Sequence, residues 1–198
     1  KVLVAGIINL SPESFYDGSR CDTVSSALKK AEQMMADGAD FLDVGAESSR
    51  PSSRSITFDA ELERLLPVVG QLCKSGIPLS VDTYKPAVAE SVLDLGVGLI
   101  NDITGLQQDG AMAGIIARFK AGVVIMHMQG TPETMQVNPH YDDLVGEITQ
   151  FFKKSISVAE IAGIASDRMI IDPGLGFGKT VEHNLVLLNC LDQFKVLH

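Results

Sequence analysis

Residues 79–102 open with Leu79-Ser80-Val81-Asp82-Thr83-Tyr84-Lys85-Pro86, continue as an amphipathic stretch to Leu95, and close with Gly96-Val97-Gly98-Leu99-Ile100-Asn101-Asp102. Two short apolar runs, each stopped by a carboxylate or a carboxamide, flank a segment of helical spacing with a glycine just past its end. A buried strand reads as such a short apolar run, so the stretch is one strand–helix–strand unit with parallel strands. The polar residue that stops each strand is either a turn former or a group aimed into a site.

The unit recurs in both directions. Ile7-Ile8-Asn9, Phe41-Leu42-Asp43, Val124-Ile125-Met126-His127 and Ile170-Ile171-Asp172 repeat the apolar run with a polar end, six in all. Between them, 23–36, 58–73, 86–95, 111–119, 141–162 and 180–191 are amphipathic and are read as helices. In the second, Leu62, Leu65, Leu66, Val69 and Leu72 form the apolar stripe, and Asp59, Glu61, Glu63 and Arg64 cover the rest. Thr57 is its candidate N-cap. Gly38, Gly96, Gly98 and Gly163 stand just past helix ends, where a left-handed residue is expected.

Strict alternation of strand and helix implies a parallel sheet, either a closed barrel or an open doubly wound sheet. An open sheet gathers its ligand groups at one switch point, whereas here every strand end carries a polar group, which favours the closed ring. The expected fold is therefore α/β, a (β/α)8 TIM barrel represented by about six βα units in a single domain over residues 1–198. Such a barrel takes eight strands and about 250 residues. The expectation is that this stretch stops before strands seven and eight.

Apolar residues are 45% and charged residues 21% of the chain, as in an ordinary globular domain, and no apolar run reaches the length of a membrane span. A formal charge of -9 argues against nucleic acid as a partner, since a phosphate backbone needs a clustered basic face. Cys21, Cys73 and Cys190 are odd in number and lack CxxC spacing, so reduced thiols and a cytoplasmic location are expected. Lys1 to Gly6 already follow a strand pattern, read as leaving no room for a signal peptide.

Asp172-Pro173-Gly174-Leu175-Gly176-Phe177-Gly178-Lys179-Thr180 invites a nucleotide reading and fails it. Counting back from Gly178-Lys179-Thr180, the first glycine of a P-loop would fall on Pro173, and Lys179 stands where the last glycine of GxGxxG belongs. What remains is a strand-ending carboxylate on a proline-fixed turn, with glycines that let backbone N–H groups approach a flat or anionic ligand. Asp82, Asn101 and Asp172 together offer the acceptors and carboxamide donor needed to grip a heterocycle bearing amino, ring N–H and carbonyl groups. The loop Asp43 to Arg54 supplies two arginines, Arg50 and Arg54, for a phosphate or carboxylate. Asn9 ends its strand before a loop whose Phe15 and Tyr16 could close over a ligand. No second histidine or cysteine stands at ligand spacing from His127, so it is read as packed or hydrogen-bonded rather than metal-bound. Met126 and Met128 are core fillers that also suit a flat ring.

Taken together, Asn9-Leu10-Ser11-Pro12-Glu13-Ser14-Phe15, Asp43-Val44-Gly45-Ala46-Glu47-Ser48-Ser49-Arg50-Pro51, Ser80-Val81-Asp82-Thr83, Ile100-Asn101-Asp102, Met126-His127-Met128-Gln129-Gly130-Thr131-Pro132 and Asp172-Pro173-Gly174-Leu175-Gly176-Phe177-Gly178-Lys179 resemble the dihydropteroate synthase family. The resemblance runs from Ile7 to about Leu188. It implies a transferase of folate biosynthesis that joins p-aminobenzoate to hydroxymethyl-dihydropterin pyrophosphate, and a target of sulfonamides. It also implies a pterin held by Asp82, Asn101, Met126, Asp172 and Phe177. Pyrophosphate would fall to Asn9, Asp43 and Arg50, with Asn9 holding Mg, and p-aminobenzoate to Phe15, Ser49 and Pro51. The catalytic set so implied is Asp82, Asp172, Asn9 and Arg50, in a cytoplasmic homodimer.

The chain departs from the family pattern at Glu13, Ala46 and Ser52, where Asp, Gly and Gly are usual. The family's Ser-Arg-Lys motif of strand seven and Arg-x-His motif of strand eight do not occur in it. Two readings from other classes stand beside this one. A pterin-binding methyltransferase domain shares the barrel and the Asp/Asn/Asp floor but lacks the Ser-Pro-Glu-Ser-Phe loop and the His-Met-Gln-Gly segment. A non-catalytic homologue would keep the fold and lose Arg50 or the loops.

Overall fold

The computed structural model describes residues 2–11, 23–48 and 55–197. Six strands, β1 (Ala5–Asn9), β2 (Phe41–Gly45), β3 (Leu79–Asp82), β4 (Leu99–Asp102), β5 (Gly122–Met126) and β6 (Met169–Asp172), lie side by side in chain order. Every neighbouring pair is parallel. A doubly wound sheet reverses its order at a switch point. This one never does, so the sheet is the wall of a (β/α)8 TIM barrel, present here as an arc of six βα units. Helices α1 (Val24–Ala36), α2 (Phe58–Lys74), α3 (Pro86–Asp94), α4 (Ala111–Phe119) and α5 (Leu144–Ala162) pack one against the next, and α6 (Val181–Asn189) follows β6.

Three helices start on threonine caps, Thr57 among them as expected. Thr23, Thr57 and Thr180 accept the backbone N–H of Ser26, Ala60 and His183, each filling one of the orphan donors of a helix start. Past the helix ends, Gly38, Gly96 and Gly163 have φ of 103°, 104° and 94°, as expected. Gly98 does not share this left-handed backbone, because it leads directly into β4 rather than closing α3. Helix α5 also begins three residues later than its periodicity suggests. Asp143 caps it through Gly146, and Tyr141 turns instead onto the β6 turn, donating its hydroxyl to Gly178 O at 2.8 Å.

The main core fills the layer between strands and helices. Leu42, Val44, Val81, Ile100, Val123 and Ile125 point outward from the sheet onto Leu65, Val69, Val88, Val92, Ile116, Ile148 and Phe152, all buried. The alternate strand residues face the lumen, and they include the polar strand ends Asn9, Asp43, Asp82, Asn101 and Asp172, whereas Asp102 and His127 have the outward parity. One assignment on α2 is reversed: Glu61 is 1% exposed rather than on the outer face. Its carboxylate turns inward because Lys85 meets it at 2.5 Å, and Leu66 is left outside at 38% exposure.

Phe152 anchors the far side of this layer, fully buried and edge-on to Phe194 and Phe151 at centroid distances of 5.6 and 6.0 Å. Phe152→Ala should lower the unfolding free energy by about 3–5 kcal/mol through lost contact and the cavity left behind. Urea titration of the two proteins measures this; a loss under about 1 kcal/mol would show that the aromatic cluster closes over the gap.

Candidate functional site

Strand register brings the polar ends together. Asn9 pairs with Gly45, Gly45 with Asp82 and Asp82 with Asn101, so one row across four strands carries three of the expected site residues. Asp43 lies in the row beneath, opposite Ser80. Met126 and Asp172 face each other as a pair at the ends of β5 and β6. A Cβ on Gly45 would stand 3.5 Å from Asp82 Oδ2 and 3.9 Å from Asn9 Oδ1, so the glycine keeps open the space between these two oxygens. Of the expected residues, Asn9, Asp43, Asp82, Asn101, Met126 and Asp172 are thus located around one lumen, and Phe177 lies in the turn that follows Asp172. Phe15, Ser49, Arg50 and Pro51 lie outside the described residues.

The floor is hydrogen-bonded only in part. Asn101 Nδ2 donates to Asp43 Oδ2 at 3.0 Å, and Gly174 N donates to Asp172 Oδ1 at 2.8 Å. Asp43 Oδ1 and Asn101 Oδ1 are buried with no closely placed donor, and the Ser80 hydroxyl lies beside Asp43. Buried polar atoms are nearly always paired, so the floor has acceptor capacity that a polar molecule in the lumen could use. Asp102, next to Asn101 and facing the helices, has a different job: it accepts from Thr104 N, Thr104 Oγ1 and Leu106 N and fixes the turn after β4.

Burial governs the acids. It pushes Asp82 well above the ordinary carboxylate value, helped by the charges of Asp43, Glu61, Asp102 and Glu47. Asp43 is raised chiefly by burial, with the Ser80 and Asn101 side chains pulling it back and Asp172 adding to the rise. The cationic counterweight on this side is Lys85, which bonds Glu47 and Glu61. Burial pulls Lys85 down, but these two carboxylates hold it above its ordinary value. Tyr84 OH joins the cluster, donating to Glu47 Oε1 at 2.6 Å and meeting Ser55 Oγ at 2.9 Å, while Ile56 N donates to Glu47 Oε2 at 3.3 Å.

On the other side, His127 is 6% exposed, edge-on to Phe151 at 4.8 Å, and Lys179 meets its Nδ1 at 3.0 Å. This accords with the packed, hydrogen-bonded reading of His127. Sequence reasoning did not find Lys179, Tyr141, Glu61 or Lys85. Lys179 carried a faint signal as the residue that spoiled both phosphate-loop patterns, and the other three had none. Among the described residues no cluster of three or more His, Cys, Asp or Glu could hold a metal ion. The oxygen of Asn9, beside the opening at Gly45, suits a hard cation that takes most of its ligands from a phosphate substrate and water.

A family model described as pterin binding enzyme matches residues 5–198. The dihydropteroate synthase of Synechocystis sp. is 37% identical over 198 residues, which is 100% of this chain and 68% of that protein. Among solved structures, the Yersinia pestis dihydropteroate synthase in a sulfonamide drug complex superposes with a TM-score of 0.93 at 41% identity, covering 98% of this chain and 71% of the other. The Burkholderia cenocepacia dihydropteroate synthase complexed with 7,8-dihydropteroate gives 0.86 at 40%, covering 98% and 66%.

The raised Asp82 has a consequence for stability. Below the ordinary aspartate value of 3.8 the carboxyl is protonated whether the chain is folded or not, and it costs nothing. As pH climbs past that value the unfolded chain sheds the proton first, so the folded state loses stability until its own, higher pKa is passed. Asp82→Asn removes this loss. The variant should match the parent near pH 3.5 and exceed it by about 0.5–2 kcal/mol at pH 7, as read from denaturant midpoints across that range. A variant less stable at pH 7 would show that Asp82 is stabilised by its surroundings.

Proposed function

The chain belongs to the pterin binding enzyme family, and from that premise we propose that it acts as a dihydropteroate synthase, condensing p-aminobenzoate with hydroxymethyl-dihydropterin pyrophosphate to give dihydropteroate and pyrophosphate. The observation that carries the reading is the lumen floor, where Asn9, Asp82 and Asn101 share one register row and Asp43 Oδ1 and Asn101 Oδ1 lie buried with open acceptor positions. A pterin is a flat ring with adjacent N–H donors and a carbonyl, and it fits such a floor. 7,8-Dihydropteroate, which the Burkholderia cenocepacia protein holds, contains both the pterin and the p-aminobenzoate halves.

In this reading Asp172, Asp82 and Asn101 grip the pterin, with the Met126 thioether and the Phe177 ring against its faces. Asn9, Asp43 and Arg50 serve the pyrophosphate, and Phe15, Ser49 and Pro51 the p-aminobenzoate. The C–O bond to pyrophosphate breaks and leaves a pterin-stabilised cation at the methylene. The arylamine nitrogen then forms the C–N bond and gives up a proton. Fixed carboxylates near the ring favour the positive charge that develops there. Magnesium, held by Asn9 and the phosphates, would neutralise the leaving pyrophosphate.

Free Cys73 and Cys190 support a reducing, cytoplasmic setting, and we read the enzyme as a homodimer. The sulfonamide complex of the Yersinia pestis relative supports reading the aryl pocket as a drug target.

Full-length protein should release pyrophosphate from the pterin substrate only when p-aminobenzoate is added, in a single-turnover assay. Release that ignores p-aminobenzoate would point to a hydrolase, and none at all to a non-catalytic binder. Asp172→Asn should leave the melting temperature nearly unchanged and weaken pterin binding by about 1–3 kcal/mol, the cost of losing a charged acceptor. Isothermal titration with a pterin measures it, and unchanged affinity would remove Asp172 from the site.

A further inference from the structure

Lys179 is 3% exposed, and its ammonium meets three acceptors: Phe177 O at 2.9 Å, His127 Nδ1 at 3.0 Å and His127 O at 3.3 Å. An ammonium has three N–H donors, so each has an acceptor and none of the three carries a charge. A buried cation without a contacting anion is costly. The cost shows in both partners: burial draws Lys179 down to about 8, with Asp172 opposing the fall, and burial together with Lys179 draws His127 down to about 3. A methionine of the same reach would fill the space more cheaply. The fold therefore needs the three bonds, and what they join indicates why.

They join the turn after β6 to the end of β5. At Gly174, with φ of 65°, a Cβ would stand 2.1 Å from His127 O, and at Gly178, also 65°, it would stand 2.8 Å from Gln129 O. The turn thus rests on the backbone just after β5 at two bare points, and Lys179 ties down the segment between them. On one side of this seam are Asp172 and Phe177; on the other, facing Asp172 in register, is Met126. We propose that Lys179 is a positioning residue of the pterin site, whose ammonium clamps the β6 turn to β5 and so sets the slot bounded by the Asp172 carboxylate, the Phe177 ring and the Met126 thioether. The proposal rests on the pterin reading given above.

The test compares full-length parent, Lys179→Met, His127→Phe and His127→Asn. Lys179→Met should raise KM for the pterin pyrophosphate about tenfold while moving KM for p-aminobenzoate by less than about twofold. His127→Phe keeps a ring against Phe151 but strips one acceptor, and should shift the pterin KM in the same direction by less. His127→Asn retains an acceptor and should recover most of that shift. An unchanged pterin KM in Lys179→Met, or equal movement of both KM values, overturns the proposal. If Lys179→Met does not fold, indistinguishable Phe and Asn variants at 127 overturn it instead. A parent protein that makes no dihydropteroate defeats the functional reading separately, and calorimetric pterin affinities of the same four proteins then decide the role of Lys179.

Discussion

The two-residue period of a β-strand sets the direction of every side chain in this molecule that matters for chemistry. Six parallel strands in chain order hold one register, so residues of one parity pack on the helices and residues of the other meet in the lumen. Ile8, Val44, Val81, Ile100 and Ile125 belong to the first set and are fully buried. Asn9, Asp43, Asp82, Asn101 and Asp172 belong to the second. The apolar layer that holds the sheet together is thus the same device that keeps the polar groups pointed inward, and neither can be changed without the other.

That arrangement concentrates acids where water is scarce. Asp43 and Asp82 both sit above the ordinary carboxylate range, and Asp82 feels four neighbouring acids besides its own burial. A half-buried and a buried lysine stand near the acids and are held by different means. Lys85 is paired with the carboxylates of Glu47 and Glu61, whereas Lys179 bonds only neutral acceptors and faces Asp172 through space. A floor tuned in this way is less stable than an apolar one would be, which is the usual relation between a working site and the scaffold beneath it.

Much of this was legible in the sequence, because strand ends and helix starts are local events. A β-branched run stopped by Asp or Asn, and a threonine just before an apolar stripe, are read from a few neighbouring positions, and β1 to β6 and the cap at Thr57 follow. Glu61 was misplaced for the opposite reason. Its burial depends on Lys85, 24 residues away in the chain, and no periodicity on α2 can register that partner. Lys179 is the same case at a separation of 52 residues. Tyr141 has helical neighbours and was counted with them, although its hydroxyl is committed to Gly178 O. Gly98 fits the pattern of a helix terminator and is a strand lead-in.

Asn101 and Asp102 stand side by side, similar in size and chemistry, one offered to the lumen and the other locked into the turn at Thr104 and Leu106. Their duties are set by parity alone. A gene encoding this chain can therefore drift by substitution within its strands but not by insertion or deletion there: one codon gained or lost in β4 would exchange the two duties and turn Ile100 toward the lumen. Changes of length are confined to the loops between sheet and helices. In a set of descendants of this sequence, gaps should pile up between the elements and leave the six strand ends in unbroken alignment.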